Sequence, residues 1–230
     1  MAFEIYKPTQ HRCPIRGVLF DMDGLVLDTE KLYARFWAEA AAFYGFSMTR
    51  EQTLAMRAAN RSLGKANLLA FFGPQADYAQ IRAKRIELME AYIAENGVTT
   101  KPGIHELLDY LENRGIAAAI TSSSPPERIC RHLMPHGLDT RFTALCSGYD
   151  VPMGKPAPDI YLKGAASLNL RPEECLALED APTGIEAAFR ANCLPVIVPD
   201  LDQPSELTVS RCYARADSLT DVIALLEAGE

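Results

Sequence analysis

Several features are scarce or missing in this chain of 230 residues, and each absence narrows what it can do. Positive charge is in deficit: 23 Lys and Arg stand against 30 Asp and Glu, and the net charge of −7 argues against nucleic-acid binding, which needs a basic face. No apolar run approaches the ~20 residues of a membrane helix. The first 14 residues contain no continuous apolar segment typical of a secretory signal. We therefore expect a cytoplasmic protein that binds neither nucleic acid nor membrane.

The sequence also lacks the patterns of a disulfide framework or a zinc site. Its six cysteines are scattered and include no CxxC pair, which indicates reduced, buried thiols. His132 and His136 are four residues apart, but Pro135 lies between them and no third ligand is nearby. We interpret both histidines as surface residues.

What is present describes an ordinary globular protein. Hydrophobic residues make up 48% and charged residues 23% of the chain. The length suits one large α/β domain, or a core with a small insertion. We expect a monomer or a weak dimer, and we find neither an internal repeat nor a low-complexity segment.

Residues 30–96 have the pattern of helices alone. Their first apolar residues, Leu32, Phe36, Ala40 and Phe43, recur at helical spacing. The sequence Thr-Arg-Glu-Gln at 49–52 has the form of a capping box ahead of a second helix. No segment of this stretch has the pattern of a strand.

From residue 102 onward, short apolar runs alternate with helical patterns. This alternation is typical of a doubly wound parallel sheet. The predicted strands lie at 17–20, 116–120, 143–146, 175–178 and 195–198. Because the second of these comes about a hundred residues after the first, we predict a Rossmann-like α/β core of residues 1–29 and 97–230, with residues 30–96 inserted as a helical unit. The insertion carries nine Lys or Arg and seven Asp or Glu, so the excess of acid lies in the core.

The stretch GVLFDMDGLVLDTE, residues 17–30, brings acids to the end of a strand that should be buried. Asp21 and Asp23 follow the apolar run so closely that they are unsuited to an exposed loop. Unpaired charge is costly in such a place. We therefore expect a lysine or a metal ion to compensate them.

Polar residues also follow the other predicted strands. They are Thr121 and Ser122, Lys155, Glu179 and Asp180. Each has an ordinary structural explanation, such as a helix cap, a loop lysine or acids in the first turn of a helix. Ligands of open parallel sheets bind beyond the carboxyl ends of the strands, however, and all of these residues are predicted to lie at that edge. Their joint placement favours a functional site.

These motifs resemble those of a known family. DMDGLVLDTE, TSSS, GKPAPDIYL and LEDAPTGIEA are similar to the four motifs of the haloacid dehalogenase (HAD) superfamily, and most of all to its phosphatase and β-phosphoglucomutase-like branch. In that branch a helical cap is inserted after the first motif, which is where residues 30–96 lie. The first and fourth motifs are the specific ones in this combination.

The resemblance implies a Mg²⁺-dependent hydrolase of phosphoric monoesters that works through an aspartyl phosphate. The substrate would be a small phosphorylated metabolite, such as a sugar, polyol or nucleoside monophosphate. Asp21 would be the nucleophile and Asp23 the general acid and base. Both aspartates are present, whereas the dehalogenases of the superfamily generally lack the second, so phosphoryl chemistry is favoured.

The resemblance also implies the residues that bind the metal and the phosphate. Mg²⁺ would be held by Asp21, the backbone carbonyl of Asp23, and Asp180, with Glu179 as a further ligand or directly beside them. Thr121, Ser122 and Lys155 would bind the phosphoryl group. Arg61 and Lys84 fall near cap positions that contact phosphate in the mutases; otherwise they are exposed charges on helices.

Two other functions stay open at this stage. A β-phosphoglucomutase-like mutase would carry a cap histidine twelve residues after the nucleophile, and that position holds Tyr33. A phospho-receiver signalling module also places acids, a hydroxyl and a lysine at strand ends. Receivers are about half this length, and their phosphorylated aspartate does not follow the first strand. Phosphatase is the preferred interpretation.

Overall fold

The computed structural model describes residues 3–6, 13–57, 59, 61–201 and 203–228. Much of the amino-terminal stretch that we examined for a secretory signal lies outside these residues. Within them, the chain divides into two compact units, residues 1–27 with 100–230 and residues 28–99.

The described part of the chain contains seven strands and ten α-helices. The strands are β1 (Phe3–Ile5), β2 (Gly17–Phe20), β3 (Ala117–Ser122), β4 (Ala144–Ser147), β5 (Cys175–Glu179), β6 (Leu194–Ile197) and β7 (Ala214–Ala216). The helices are α1 (Glu30–Phe43), α2 (Arg50–Arg57), α3 (Arg61–Phe72), α4 (Tyr78–Asn96), α5 (Ile104–Asn113), α6 (Pro126–Leu133), α7 (Asp159–Ser167), α8 (Pro182–Arg190), α9 (Glu206–Val209) and α10 (Leu219–Ala228). None of the helices in the described part of the chain has the length and apolar character of a membrane span.

The strands form one sheet in the order β1-β7-β6-β5-β2-β3-β4. All neighbouring pairs are parallel except β1 with β7. Val18, Leu19 and Phe20 of β2 are fully buried, because this strand lies in the interior of the sheet, between β5 and β3. The predicted doubly wound parallel core is confirmed.

The register of the sheet aligns the strand ends that matter for the site. Gly17 of β2 pairs with Ala117 of β3 and with Cys175 of β5. Because the three strands are parallel and in step, their carboxyl ends meet at one edge. The residues that follow Phe20, Ile120 and Leu178 are therefore neighbours in space.

Three features of this unit differ from the sequence interpretation. The strands β1 and β7 were not predicted, since each has three residues and forms only by pairing at the border of the sheet. The interpretation of His132 as a surface residue is wrong: it is buried on α6. Helical spacing places it on the same face as the buried Ile129. Of the cysteines, Cys130 is exposed although we expected buried thiols.

The helical unit has a core of its own. Trp37, Ala41, Met56, Leu68 and Ile81 are among its buried residues, and they come from all four helices α1–α4. Thr49 and Gln52 bind each other's backbone N–H groups, at 3.3 and 2.9 Å, which confirms the predicted capping box before α2. The described part of residues 28–99 contains no strand, as the sequence pattern indicated.

A substitution in β2 tests how much stability the central strand provides. Leu19 is fully buried, so Leu19→Ala should lower the free energy of unfolding by about 2–5 kcal/mol, through lost burial and the cavity left behind. Leu207→Ala is the matched control, because Leu207 on α9 is 62% exposed, and should change it by less than about 0.5 kcal/mol. Denaturant unfolding measures both, and equal losses would contradict the placement of Leu19 in the core.

Candidate active site

Asp21 is the first residue after β2, and the sheet still holds it. Its backbone N–H donates to the carbonyl of Leu178 at 3.0 Å, which extends the pairing of β2 with β5 by one residue. The chain then turns at Gly24, whose φ of 91° is strained for other residues. Its N–H donates to the carbonyl of Leu27 at 2.9 Å. The tight turn keeps Asp21 and Asp23 at the edge of the sheet.

The ammonium of Lys155 connects three strand ends. Its Nζ lies 2.5 Å from Oδ1 of Asp21, 2.5 Å from Oε1 of Glu179 and 3.0 Å from the carbonyl oxygen of Thr121. Asp21 follows β2, Glu179 ends β5, and Thr121 is the residue before the last one of β3. An ammonium has three N–H donors, and here each has an acceptor. Lys155 is therefore the positive partner that the sequence predicted, but for Asp21 and not for Asp23.

Burial and charge act against each other at this cluster. Burial raises the pKa of Asp21 to about 7, Lys155 opposes this rise, and Glu179 adds to it. Burial by itself would lower the pKa of Lys155, but the charges of Asp21 and Glu179 raise it well above the ordinary value. Lys155 therefore stays protonated. A single positive charge offsets two buried carboxylates only in part, which favours a second cation nearby.

Glu179 is fixed by more than Lys155. The hydroxyl of Tyr161, which is fully buried on α7, donates to Oε1 of Glu179. At Gly184, a Cβ would lie 1.8 Å from the carboxyl carbon of Glu179, so only glycine leaves room for this carboxylate. Sequence reasoning missed Tyr161. The sequence feature that could have indicated this contact is the tyrosine of the GKPAPDIYL motif, a side chain with a polar hydroxyl at a position that faces the core.

Three carboxylates are close enough to share a cation. Oxygen atoms of Asp21, Glu179 and Asp180 all lie within 4.8 Å of one another. Carboxylate oxygens are the ligands that Mg²⁺ prefers. The donor set therefore fits a magnesium ion.

The hydroxyls at the end of β3 have different surroundings. Thr121 Oγ1 donates to the carbonyl of Phe20 at 3.2 Å, and a Cβ at Gly164 would lie 2.7 Å from its methyl group. The hydroxyl of Thr121 is thus used inside the core. Ser122, the last residue of β3, accepts at Oγ from the N–H of Ser124 at 3.1 Å, which links it to the loop after the strand.

Asp23 has partners of its own. Its Oδ2 accepts from Ser124 Oγ at 3.1 Å, and its Oδ1 lies 3.4 Å from Nη2 of Arg128. Neither partner was predicted from the sequence. The available signal was the TSSS motif, followed four residues after Ser124 by a basic residue in the first turn of α6.

The remaining predicted site residues, Arg61 and Lys84, belong to the helical unit. Arg61 is the first residue of α3 and is exposed. Lys84 on α4 forms an ion pair with Glu87 at 2.7 Å, and its ammonium lies 4.4 Å from the ring centroid of Phe43. The structure brings together Asp21, Asp23, Thr121, Ser122, Lys155, Glu179 and Asp180 in the other unit.

Comparisons with known proteins show the family of the chain. A family model described as haloacid dehalogenase-like hydrolase matches residues 15–192. Hexitol phosphatase A of Escherichia coli (strain K12) is 35% identical over 188 residues, which are 81% of this chain and 83% of that protein. β-Phosphoglucomutase of Bacillus subtilis (strain 168) is 30% identical over 191 residues, 79% of this chain and 82% of that one. The crystal structure of a HAD family hydrolase from Deinococcus radiodurans R1, with bound phosphate and sodium, is similar with a TM-score of 0.76 and 26% identity, over 95% of this chain and 98% of that one.

Removing the hydroxyl of Tyr161 tests its contact with Glu179. Tyr161→Phe takes one donor from a buried carboxylate, and should lower the free energy of unfolding by about 1–3 kcal/mol. Tyr149→Phe is the matched control, because Tyr149 is 62% exposed and its loss of a hydroxyl should have little effect. Denaturant unfolding compares the two, and equal stability of both variants would contradict the contact.

Proposed function

The chain belongs to the haloacid dehalogenase-like hydrolases, and from that membership we propose that it is a Mg²⁺-dependent phosphatase of a small phosphorylated metabolite, acting through an aspartyl phosphate. The observation that carries the proposal is the contact of the Lys155 ammonium with Asp21 and Glu179 at the carboxyl ends of the strands. Asp23, held separately two residues after Asp21, supplies the second carboxylate that the chemistry needs.

We assign the nucleophile to Asp21. A phosphate monoester is anionic and repels a carboxylate, so the reaction needs compensating positive charge. Lys155 supplies part of this charge, at 2.5 Å from the carboxylate. Attack by Asp21 on phosphorus breaks the bond to the ester oxygen and divides one difficult displacement into two easier ones. Ionised Asp21 is the reactive form.

Asp21, Asp180 and the backbone carbonyl of Asp23 would hold Mg²⁺, with Glu179 as a further ligand or beside them. When bound, the ion would withdraw charge from the phosphoryl oxygens and supply the second cation that the acid cluster favours. Lys155 and Tyr161 both bind Oε1 of Glu179, so Oε2 is the oxygen that would bind the ion.

We assign the proton transfers to Asp23. It would donate a proton to the departing ester oxygen and later accept one from the water that attacks the aspartyl phosphate. The second attack releases inorganic phosphate and restores Asp21. The contacts of Asp23 are with Ser124 and Arg128, so this carboxylate is separate from the pair of Asp21 and Lys155.

The phosphoryl oxygens would be bound by Ser122 and Lys155. Between the two predicted hydroxyls we prefer that of Ser122, because Thr121 Oγ1 already donates to the carbonyl of Phe20. Thr121 contributes instead through its own carbonyl, which accepts from Lys155 at 3.0 Å and orients the ammonium.

Sugar-phosphate mutase is the second candidate, favoured by the similarity to β-phosphoglucomutase of Bacillus subtilis. The mutase pattern needs a histidine at the position of Tyr33. The guanidinium of Arg85 lies 4.8 Å from the ring centroid of Tyr33. This is a cation–π contact, in which no proton is exchanged. We therefore prefer hydrolysis. Conversion of β-glucose 1-phosphate to glucose 6-phosphate faster than phosphate release would reverse this choice.

We propose that the helical residues 30–96 select the substrate. The names of the relatives make phosphorylated sugars and sugar alcohols the first compounds to assay, and the hexitol phosphatase is the most identical of the proteins compared above. Release of inorganic phosphate from a panel of phosphorylated metabolites, with and without Mg²⁺, identifies the substrate class.

Asp21→Asn tests the nucleophile. This substitution keeps the shape of the side chain but removes its reactive oxygen and a charge, and should lower phosphate release by at least about 1,000-fold. Asp109→Asn is the control, because Asp109 is an exposed aspartate on α5, and should keep wild-type turnover. Wild-type activity should also be lost on chelation and restored by Mg²⁺. Substantial turnover by Asp21→Asn with the metal still bound would sink the assignment.

Arg61→Ala tests the contribution of the helical unit. If Arg61 binds the part of the metabolite remote from phosphorus, the variant should lose about ten- to hundredfold in kcat/KM for the metabolite, and little for a small aryl phosphate. Lys65→Ala removes another exposed charge from α3 and should change neither. Equal losses on both substrates would place Arg61 at the phosphoryl group, and no loss would make it a surface charge.

A further inference from the structure

The carboxylate of Asp23 is bound by two side chains for which the proposed reaction has assigned no task. Ser124 Oγ donates to Oδ2 at 3.1 Å, and Arg128 Nη2 lies 3.4 Å from Oδ1. Arg128 Nη1 also donates to Ser124 Oγ at 2.9 Å. The three side chains form a closed triangle, in which each contacts the other two.

This triangle restricts the rotation of the Asp23 carboxylate. A carboxylate held at one oxygen can still turn about its last bond, whereas one held at both oxygens cannot. Each oxygen has two lone-pair sites, so a donor on each leaves room for a proton-transfer partner. The arrangement therefore fixes the orientation of the group without blocking it.

Burial makes the ion pair stronger than one on the surface. The side chains of Arg128 and Asp23 are only 14% and 17% exposed, so solvent screens their attraction less than it would at the surface. Two groups that are largely removed from water also exchange partners less readily than exposed ones.

The serine of the triangle is itself held by the sheet. The carbonyl of Ser124 accepts from the hydroxyl of Ser147, the last residue of β4, at 2.7 Å. The N–H of Ser124 donates to Ser122 Oγ at 3.1 Å. Ser124 is nearly inaccessible to solvent. The orientation of Asp23 is thus tied to the ends of β3 and β4 rather than to a free loop.

We propose that Arg128, with Ser124, is a positioning residue that orients the carboxylate of Asp23 for proton transfer. The inference rests on the proposed function, in which Asp23 is the acid and base. Proton transfer requires donor and acceptor within about 2.6–3.2 Å, so a carboxylate free to rotate would be in place for only a fraction of encounters. Neither Arg128 nor Ser124 exchanges a proton or touches phosphorus in this proposal.

The test compares two substrates that differ in their need for an acid. The alkoxide leaving from sorbitol 6-phosphate requires a proton, whereas p-nitrophenolate leaves without one. Arg128→Ala should lower kcat/KM for sorbitol 6-phosphate by about 10- to 100-fold, which is the usual effect of misplacing a catalytic group. The same variant should lower kcat/KM for p-nitrophenyl phosphate by less than about threefold. Arg128→Lys, which can still bind one oxygen, should recover part of the loss.

Two controls separate positioning from a general effect. Arg131→Ala removes an exposed arginine from the same helix and should leave both substrates at the wild-type rate. In the background of Asp23→Asn, single-turnover rates at high enzyme concentration should fall no further when Arg128→Ala is added, because Arg128 acts only through Asp23. A full additional loss there, or equal losses on the two substrates, would overturn the inference.

Folding is followed in each variant by thermal unfolding. If Arg128→Ala does not fold, Ser124→Ala tests the same contact from the other oxygen, and should show the same preference for loss on sorbitol 6-phosphate. A wild-type protein that hydrolyses neither substrate, nor any other member of the metabolite panel, would reject the proposed function itself. An active wild type whose Arg128 and Ser124 variants match the Arg131 control would reject the positioning role alone.

Discussion

The contact of one buried ammonium with two carboxylates is the interaction on which the rest of the site depends. Lys155 reaches Asp21 after β2, Glu179 at the end of β5 and the carbonyl of Thr121 on β3. Removing charge from water is expensive unless it is paired, so these acids are tolerated at the end of buried strands only because the lysine meets them. The same pairing leaves negative charge in excess, which suits a further cation.

The parallel sheet brings these groups together. Residues 134 positions apart, such as Asp21 and Lys155, become neighbours because parallel strands in step end at a common edge. Because β2 lies between β5 and β3, its apolar residues are buried on both faces, and Asp21 lies between the ends of these two neighbours. Tyr161 donates a hydrogen bond to Glu179, and the absence of a side chain at Gly184 leaves room for the carboxylate of Glu179.

Two carboxylates two residues apart have different surroundings, and this difference is the basis of their proposed roles. Asp21 lies against Lys155 and Glu179, where charge compensation suits a nucleophile that must approach an anion. Asp23 lies against Ser124 and Arg128, where hydrogen bonds orient it. The turn at Gly24 is tight enough to send the two side chains to different partners while keeping both at one edge.

The sequence by itself determined the features that local patterns encode. Apolar runs alternating with helical repeats predicted the parallel core, the capping box predicted the start of α2, and acids directly after an apolar run predicted a positive partner. Only the tertiary structure decided which side chains meet. Arg128 lies 105 positions from Asp23, and Tyr161 lies on a helix 18 positions before Glu179. Such contacts depend on how helices pack on the sheet, and the spacing of residues along the chain does not indicate that packing.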